Sequence, residues 1–170
     1  MTTTVPRGFP GTSPCPTEDP ATGNCDPMET LLPESENGRP ATYEVGFLRE
    51  DLRRFRDRPV WWVTFGVLEQ GPHFGKRILC FMNQLRPDRR PPLSSTLARA
   101  YIAATGHRVP KDLGRARPSS FLSGCALLAR VKTVRRDIDG VERPEGASYS
   151  VIKCFESRTA GSSGRGRRSH

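Results

Sequence analysis

Val60-Trp-Trp-Val-Thr-Phe-Gly-Val-Leu68 reads as a β-strand along its whole length. β-branched and aromatic side chains fill it, and these suit a pleated, half-buried surface. Alternate residues of a strand face opposite sides. Trp61, Val63, Phe65 and Val67 therefore make one wholly apolar face, expected in a core. Trp62, Thr64 and Gly66 make the other, expected to line an open groove; the alternative places both indoles in the core. Gly71-Pro72 and Gly75 then mark a hairpin turn, and Lys76-Arg-Ile-Leu-Cys-Phe-Met-Asn83 is the return strand. In that strand Arg77, Leu79 and Phe81 share a face.

Working outward, Tyr43–Leu48 reads as a short first strand, and Arg49–Pro59 as a charged connection. After a loop at Pro87–Pro92 the period changes. Leu93, Leu97, Ala100, Tyr101 and Ala104 recur at helical spacing, Ser94 or Ser95 can cap the start, and Gly106 can end it. The expected helix runs from about Ser94 to Thr105, with Leu97 and Tyr101 or Ala104 buried. A basic loop with Pro110 and Pro118 leads to a strand at Cys125–Val134, a turn region at Asp137–Gly146, and a last strand at Tyr149–Phe155. The order is three strands, a helix and two strands. It predicts an all-β fold with one helix: an OB-fold-like five-stranded antiparallel barrel. A generic α+β sheet can share that order.

Composition sets the limits of this domain. The 170 residues include 27 basic and 18 acidic side chains, for a net charge of +9 and a pI near 10.0. Apolar residues make up 35% and mean hydropathy is −0.57. No run approaches the ~20 apolar residues of a membrane span, and Met1–Gly11 lacks the pattern of a signal peptide. Residues 1–40 hold eight of the sixteen prolines, and two arginines against six carboxylates. This stretch is expected to be a disordered acidic arm. Residues 157–170 carry four arginines and no acid, which predicts a disordered basic tail. The folded part is expected at 41–156.

The residues offer little catalytic chemistry. Cys15, Cys25, Cys80, Cys125 and Cys154 form no Cys-x-x-Cys pair, and His73, His107 and His170 lie far apart. Neither set has zinc-ligand spacing, and the cysteines of the folded part are expected to be buried and reduced. Gly71-Pro-His-Phe-Gly75-Lys76 glances at a phosphate loop but has the wrong spacing and stands between strands. No enzyme, cofactor or metal is expected. A basic chain without a span most often meets nucleic acid. The candidate contacts follow from alternation. Trp62 is the stacking candidate, and Phe81 is a second if Arg77 points outward. Arg130 and Lys132 share the wet face of their strand, with Arg135 and Arg136 following into the turn. Arg53, Arg54 and Arg56 crowd the first connection, beside Arg49 and Arg58. Such clusters hold phosphates or are merely solvated.

Four further segments carry a resemblance. They are Val67-Leu-Glu-Gln-Gly71, Phe74-Gly-Lys-Arg-Ile78, Leu97-Ala-Arg-Ala-Tyr-Ile-Ala-Ala-Thr-Gly106 and Phe121-Leu-Ser-Gly124. Over about residues 43–156 the chain resembles a group of phage- and plasmid-borne proteins, usually thought to be OB-type single-stranded-DNA-binding or recombination-associated proteins. The resemblance implies a non-enzymatic, cytoplasmic protein of a mobile element, acting in replication, recombination or conjugation. Its partners would be single-stranded DNA, or RNA, and replication or recombination proteins, with no membrane; a homo-oligomer is left open. Both arms lie outside the resemblance. The basic tail departs from the acidic tip typical of bacterial single-strand-binding proteins, which turns the expectation away from housekeeping replication. Two other classes stay open: a protein–protein adaptor on the same barrel, and a small DNA-processing enzyme without a recognisable site.

Overall fold

Strand alternation and one helical period, read above, map onto most of the elements of the computed structural model, which describes residues 30–159 apart from 38, 87–90, 138 and 145. The strands are β1 (Thr42–Phe55), β2 (Arg58–Val67), β3 (Arg77–Asn83), β4 (Ala126–Val134) and β5 (Tyr149–Arg158). The main helix α1 (Thr96–Thr105) lies between β3 and β4. A 3-10 turn at Leu113–Arg115, a helical turn at Ser119–Leu122 and a two-residue ladder joining Ser35–Glu36 to Arg39–Pro40 complete the set.

The five strands form one mixed sheet. β1 pairs with both β2 and β4, β2 with β3, and β4 with β5, all antiparallel. β5 meets β3 in a parallel pair at Leu79 and Val151. The pairing order β1-β2-β3-β5-β4 returns to β1 and closes. The expectation of antiparallel pairing throughout is thus corrected at one seam. The reason is parity: direction reverses at each antiparallel pair, so a closed ring of five strands must contain a parallel one.

β1 also corrects the sequence reading. It runs for 14 residues and absorbs most of the charged stretch read as a connection. Arg49–Phe55 pairs with β2 up to Phe55 opposite Arg58. Only Arg56 and Asp57 form the turn, with φ of 46° and 60°. Positive φ at both central residues matches the mirror-image turn that suits the twist of a hairpin. From Leu52 to Pro59 the ribbon is exposed, so no apolar alternation marks it as strand.

The core lies inside the ring. Val45, Val63, Phe65, Ile78, Cys80, Met82 and Leu127 are fully buried there. α1 adds Leu97, Ala98, Ala100 and Ala104, packing on β5, β3 and β4. Ser95 starts the helix by accepting from the Ala98 N–H at 3.2 Å, and Gly106 ends it in the left-handed region at φ 70°. Tyr101 is half-buried. Burial raises the pKa of the Cys80 thiol, but Cys125 and Cys154 are only half-buried, against expectation. They sit near an element end and on a bulged stretch of β5, where alternation fails to hide them. Cys15 and Cys25 lie outside the described residues.

Both expected domain limits move outward. Leu32 is 1% exposed and belongs to the core. Its N–H donates to Ser150 Oγ at 2.9 Å, and the Ser150 N–H donates to the Thr30 carbonyl at 2.8 Å. Tyr43 Oη donates to the Pro33 carbonyl at 3.0 Å. Thr30–Pro33 is therefore part of the domain, although it lies in the stretch read as arm. At the other end, Ser157 and Arg158 continue β5 opposite Leu128 and Leu127, and the Thr159 N–H donates to the Ala126 carbonyl. Residues 1–29 of the arm and 160–170 of the tail lie outside the described residues. Among the described residues no helix is long and apolar enough to cross a membrane.

Candidate nucleic-acid interface

β2 sorts its side chains as its alternation dictates at the tryptophans. Trp61 enters the main core, while Trp62 is half-buried on the opposite face. Across the ladder Trp62 stands opposite Phe81, and the rings meet edge to face with centroids 5.0 Å apart. Leu79 follows on the same face of β3, beside Val151 of β5, and Tyr149 stands opposite Val134. Leu79, Tyr149 and Val151 form a second apolar cluster, with Trp62, Phe81 and Val134 against it. The outer face of β2, β3 and β5 is thus floored by aromatic and aliphatic groups.

That floor is less open than the sequence predicted. Thr64 is 3% exposed, and the Leu48 side chain lies over Gly66. The correction follows from neighbours: Leu79 opposes Thr64, and β1 brings its own leucine across. The open part of the face is the Trp62–Phe81 end. Arg77 and Phe81 are both half-buried on this face, so Phe81 lies outside the main core.

The cations divide by partner. Arg53 reaches over Trp62, its guanidinium carbon 4.4 Å from the ring centroid, with Asp51 at 4.0 Å. Arg54 takes the other face of the ribbon, opposite Pro59, and is not brought to Trp62. Arg56 sits in the turn and pairs with Asp139 at 2.9 Å, which ties the β1–β2 hairpin to the β4–β5 loop. Arg130 pairs with Glu156 at 2.6 Å, Arg135 with Glu34 at 3.8 Å and Arg136 with Glu142 at 3.6 Å. Lys132 is exposed opposite Val151, and it and Arg77 have no carboxylate partner among the described residues.

Two residues of this face escaped the sequence reading. Tyr149 was read only as a strand start, and Arg143 only as part of a turn. The Arg143 guanidinium carbon lies over the Tyr149 ring, 4.9 Å from its centroid. The signal was a Tyr opening a strand with an arginine six residues before it, which is too common to single out. Glu50 of β1 does more than temper the neighbouring arginines. Its carboxylate accepts from Arg117 Nε at 2.7 Å and from the Ser119 N–H at 2.7 Å, fixing the Arg117–Leu122 segment to β1. Comparison with protein-family models, curated proteins and solved structures finds no match.

Proposed function

We propose that this chain is a non-enzymatic single-stranded nucleic-acid-binding protein on an OB-type barrel, acting for a mobile element in replication, recombination or conjugation. The observation that carries the binding reading is the Trp62–Phe81 pair on the outer face of β2 and β3, with Arg53 over the indole. OB barrels bind oligonucleotides on the face of strands two and three, flanked by the loops joining strands one–two and four–five. The closed order β1-β2-β3-β5-β4 and the helix between β3 and β4 support the fold assignment. An aromatic floor accepts bases of any identity, and cations beside it hold the backbone. Among the described residues of this face, Lys132, Arg77 and Arg143 are available without breaking an ion pair; the partnered arginines must exchange a carboxylate for a phosphate.

The test is a binding titration with single-stranded and duplex oligonucleotides across salt concentrations. The single strand is expected to bind more tightly. Trp62→Ala is expected to cost about 1–3 kcal/mol of affinity with an unchanged salt slope. Lys132→Ala is expected to weaken binding to all sequences and flatten the slope by about 0.7. Melting curves check that each variant is folded. A folded Trp62→Ala protein that binds like the parent refutes the site; a parent that ignores oligonucleotides refutes the function and favours the adaptor reading.

A further inference from the structure

Two rings of the outer face are already covered. Tyr149 is 8% exposed, so its ring offers little open surface. Its cover is the Arg143 guanidinium, which is tied into the β4–β5 loop by Arg143 Nε donating to the Ala147 carbonyl at 2.7 Å. Arg143 has no carboxylate partner among the described residues. Trp62 carries Arg53 over its ring and meets Phe81 edge to face. Asp51 lies at the outer limit of an ion pair with Arg53, at 4.0 Å. Leu79 and Val151 belong to the same apolar cluster as Trp62 and Tyr149.

A phosphate contact requires only charge. These two arginines are arranged for more than charge, because each is backed by a ring. A guanidinium is planar and weakly hydrated, and it stacks on π-systems as an ammonium does not. With one side on a ring, its other side is a surface for a base, and unpaired bases do stack on arginine planes.

Taking the nucleic-acid-binding reading as its premise, we propose that Arg53 and Arg143 are base-stacking platforms. Each is a ring-backed guanidinium, and Leu79 and Val151 belong to the apolar floor they share. The ligand class is an unpaired nucleobase in a single strand. The Trp62 indole is then support for a platform, and Tyr149 plays for Arg143 the part that Trp62 plays for Arg53.

The experiment uses the full chain, an oligo-dT strand and an abasic strand of equal length. The parent is expected to prefer oligo-dT. Arg53→Lys and Arg143→Lys keep the charge and lose the plane. Each is expected to reduce the preference by about five- to tenfold with the salt slope unchanged. Arg53→Gln keeps a planar group without charge, and is expected to retain part of the preference on a flatter slope. Lys132→Ala is expected to weaken both strands equally. The proposal is overturned if the folded lysine variants keep the parent's preference, or if the parent binds both strands equally; phosphate binding then survives without base platforms. If the parent binds neither strand, the premise falls and the proposal with it.

Discussion

Glu34 is an acid in a segment that composition assigned to a loose arm, yet it closes a backbone gap. Its carboxylate accepts from the Thr133 N–H and faces Arg135. The Thr133 amide holds the Glu34 pKa below the ordinary 4.5, against the opposing effect of burial, and Arg135 and Lys153 add to the lowering. The folded state therefore holds the Glu34 proton less tightly than the unfolded state does. Stability from this group is fully present above 4.5 and is lost as pH falls through the lower folded value. Glu34→Gln keeps an acceptor for Thr133 but removes the titration. Urea midpoints from about pH 6 to about pH 3 are expected to fall less steeply for this variant than for the parent; parallel acid limbs would show that Glu34 contributes nothing. At this scale the sequence was informative wherever alternation decides, as in the separation of Trp61 from Trp62. It was silent wherever a partner arrives from a distant loop, as with Arg143 over Tyr149 or Asp139 at Arg56.

Elements were legible in proportion to how much apolar surface they bury. β2 and β3 are buried over most of their length and are dense in β-branched, aromatic and aliphatic residues, and α1 buries one face, so all three appear in the sequence. The outer half of β1 is exposed, and its strand character comes from pairing and a tight turn. That turn carries a residual cost, because Asp57 sits at φ 60° where a Cβ is disfavoured. Asp57→Gly leaves the Arg56–Asp139 pair in place and is expected to stabilise the protein by about 0.5–1 kcal/mol, read as a higher urea midpoint at unchanged slope. Gly114 makes the opposite case. A Cβ there would stand 2.8 Å from the Leu85 carbonyl oxygen and 2.9 Å from that of Arg86. Both are backbone atoms, so neither can swing aside. Gly114→Ala is expected to cost about 1–3 kcal/mol, as overpacking does; a variant melting with the parent would show that this loop yields.

At the scale of the whole molecule, the sequence conveyed the order of elements but not the limits of the domain. Chain order is local, whereas the limits depend on which distant groups receive the ends. Thr30–Pro33 looked like arm because Pro-rich polar sequence rarely packs. It packs here because Ser150, fully buried in β5, has its N–H and hydroxyl satisfied by the Thr30 and Leu32 carbonyls, and accepts from the Leu32 N–H. Those bonds place the Leu32 side chain in the main core, while its neighbour Leu31 remains 53% exposed. The two leucines differ in burial and in little else, so each is the control for the other. Leu32→Ala in the full chain is expected to cost about 2–4 kcal/mol, from lost burial and the cavity left behind. Leu31→Ala is expected to stay within about 0.5 kcal/mol of the parent. A chain beginning at Ala41 is expected to melt well below one beginning at Thr30, since the shorter chain strips Ser150 of its partners and opens the core. Equal losses from the two leucine variants would show that the segment is not seated as described, and the domain would then begin at Ala41.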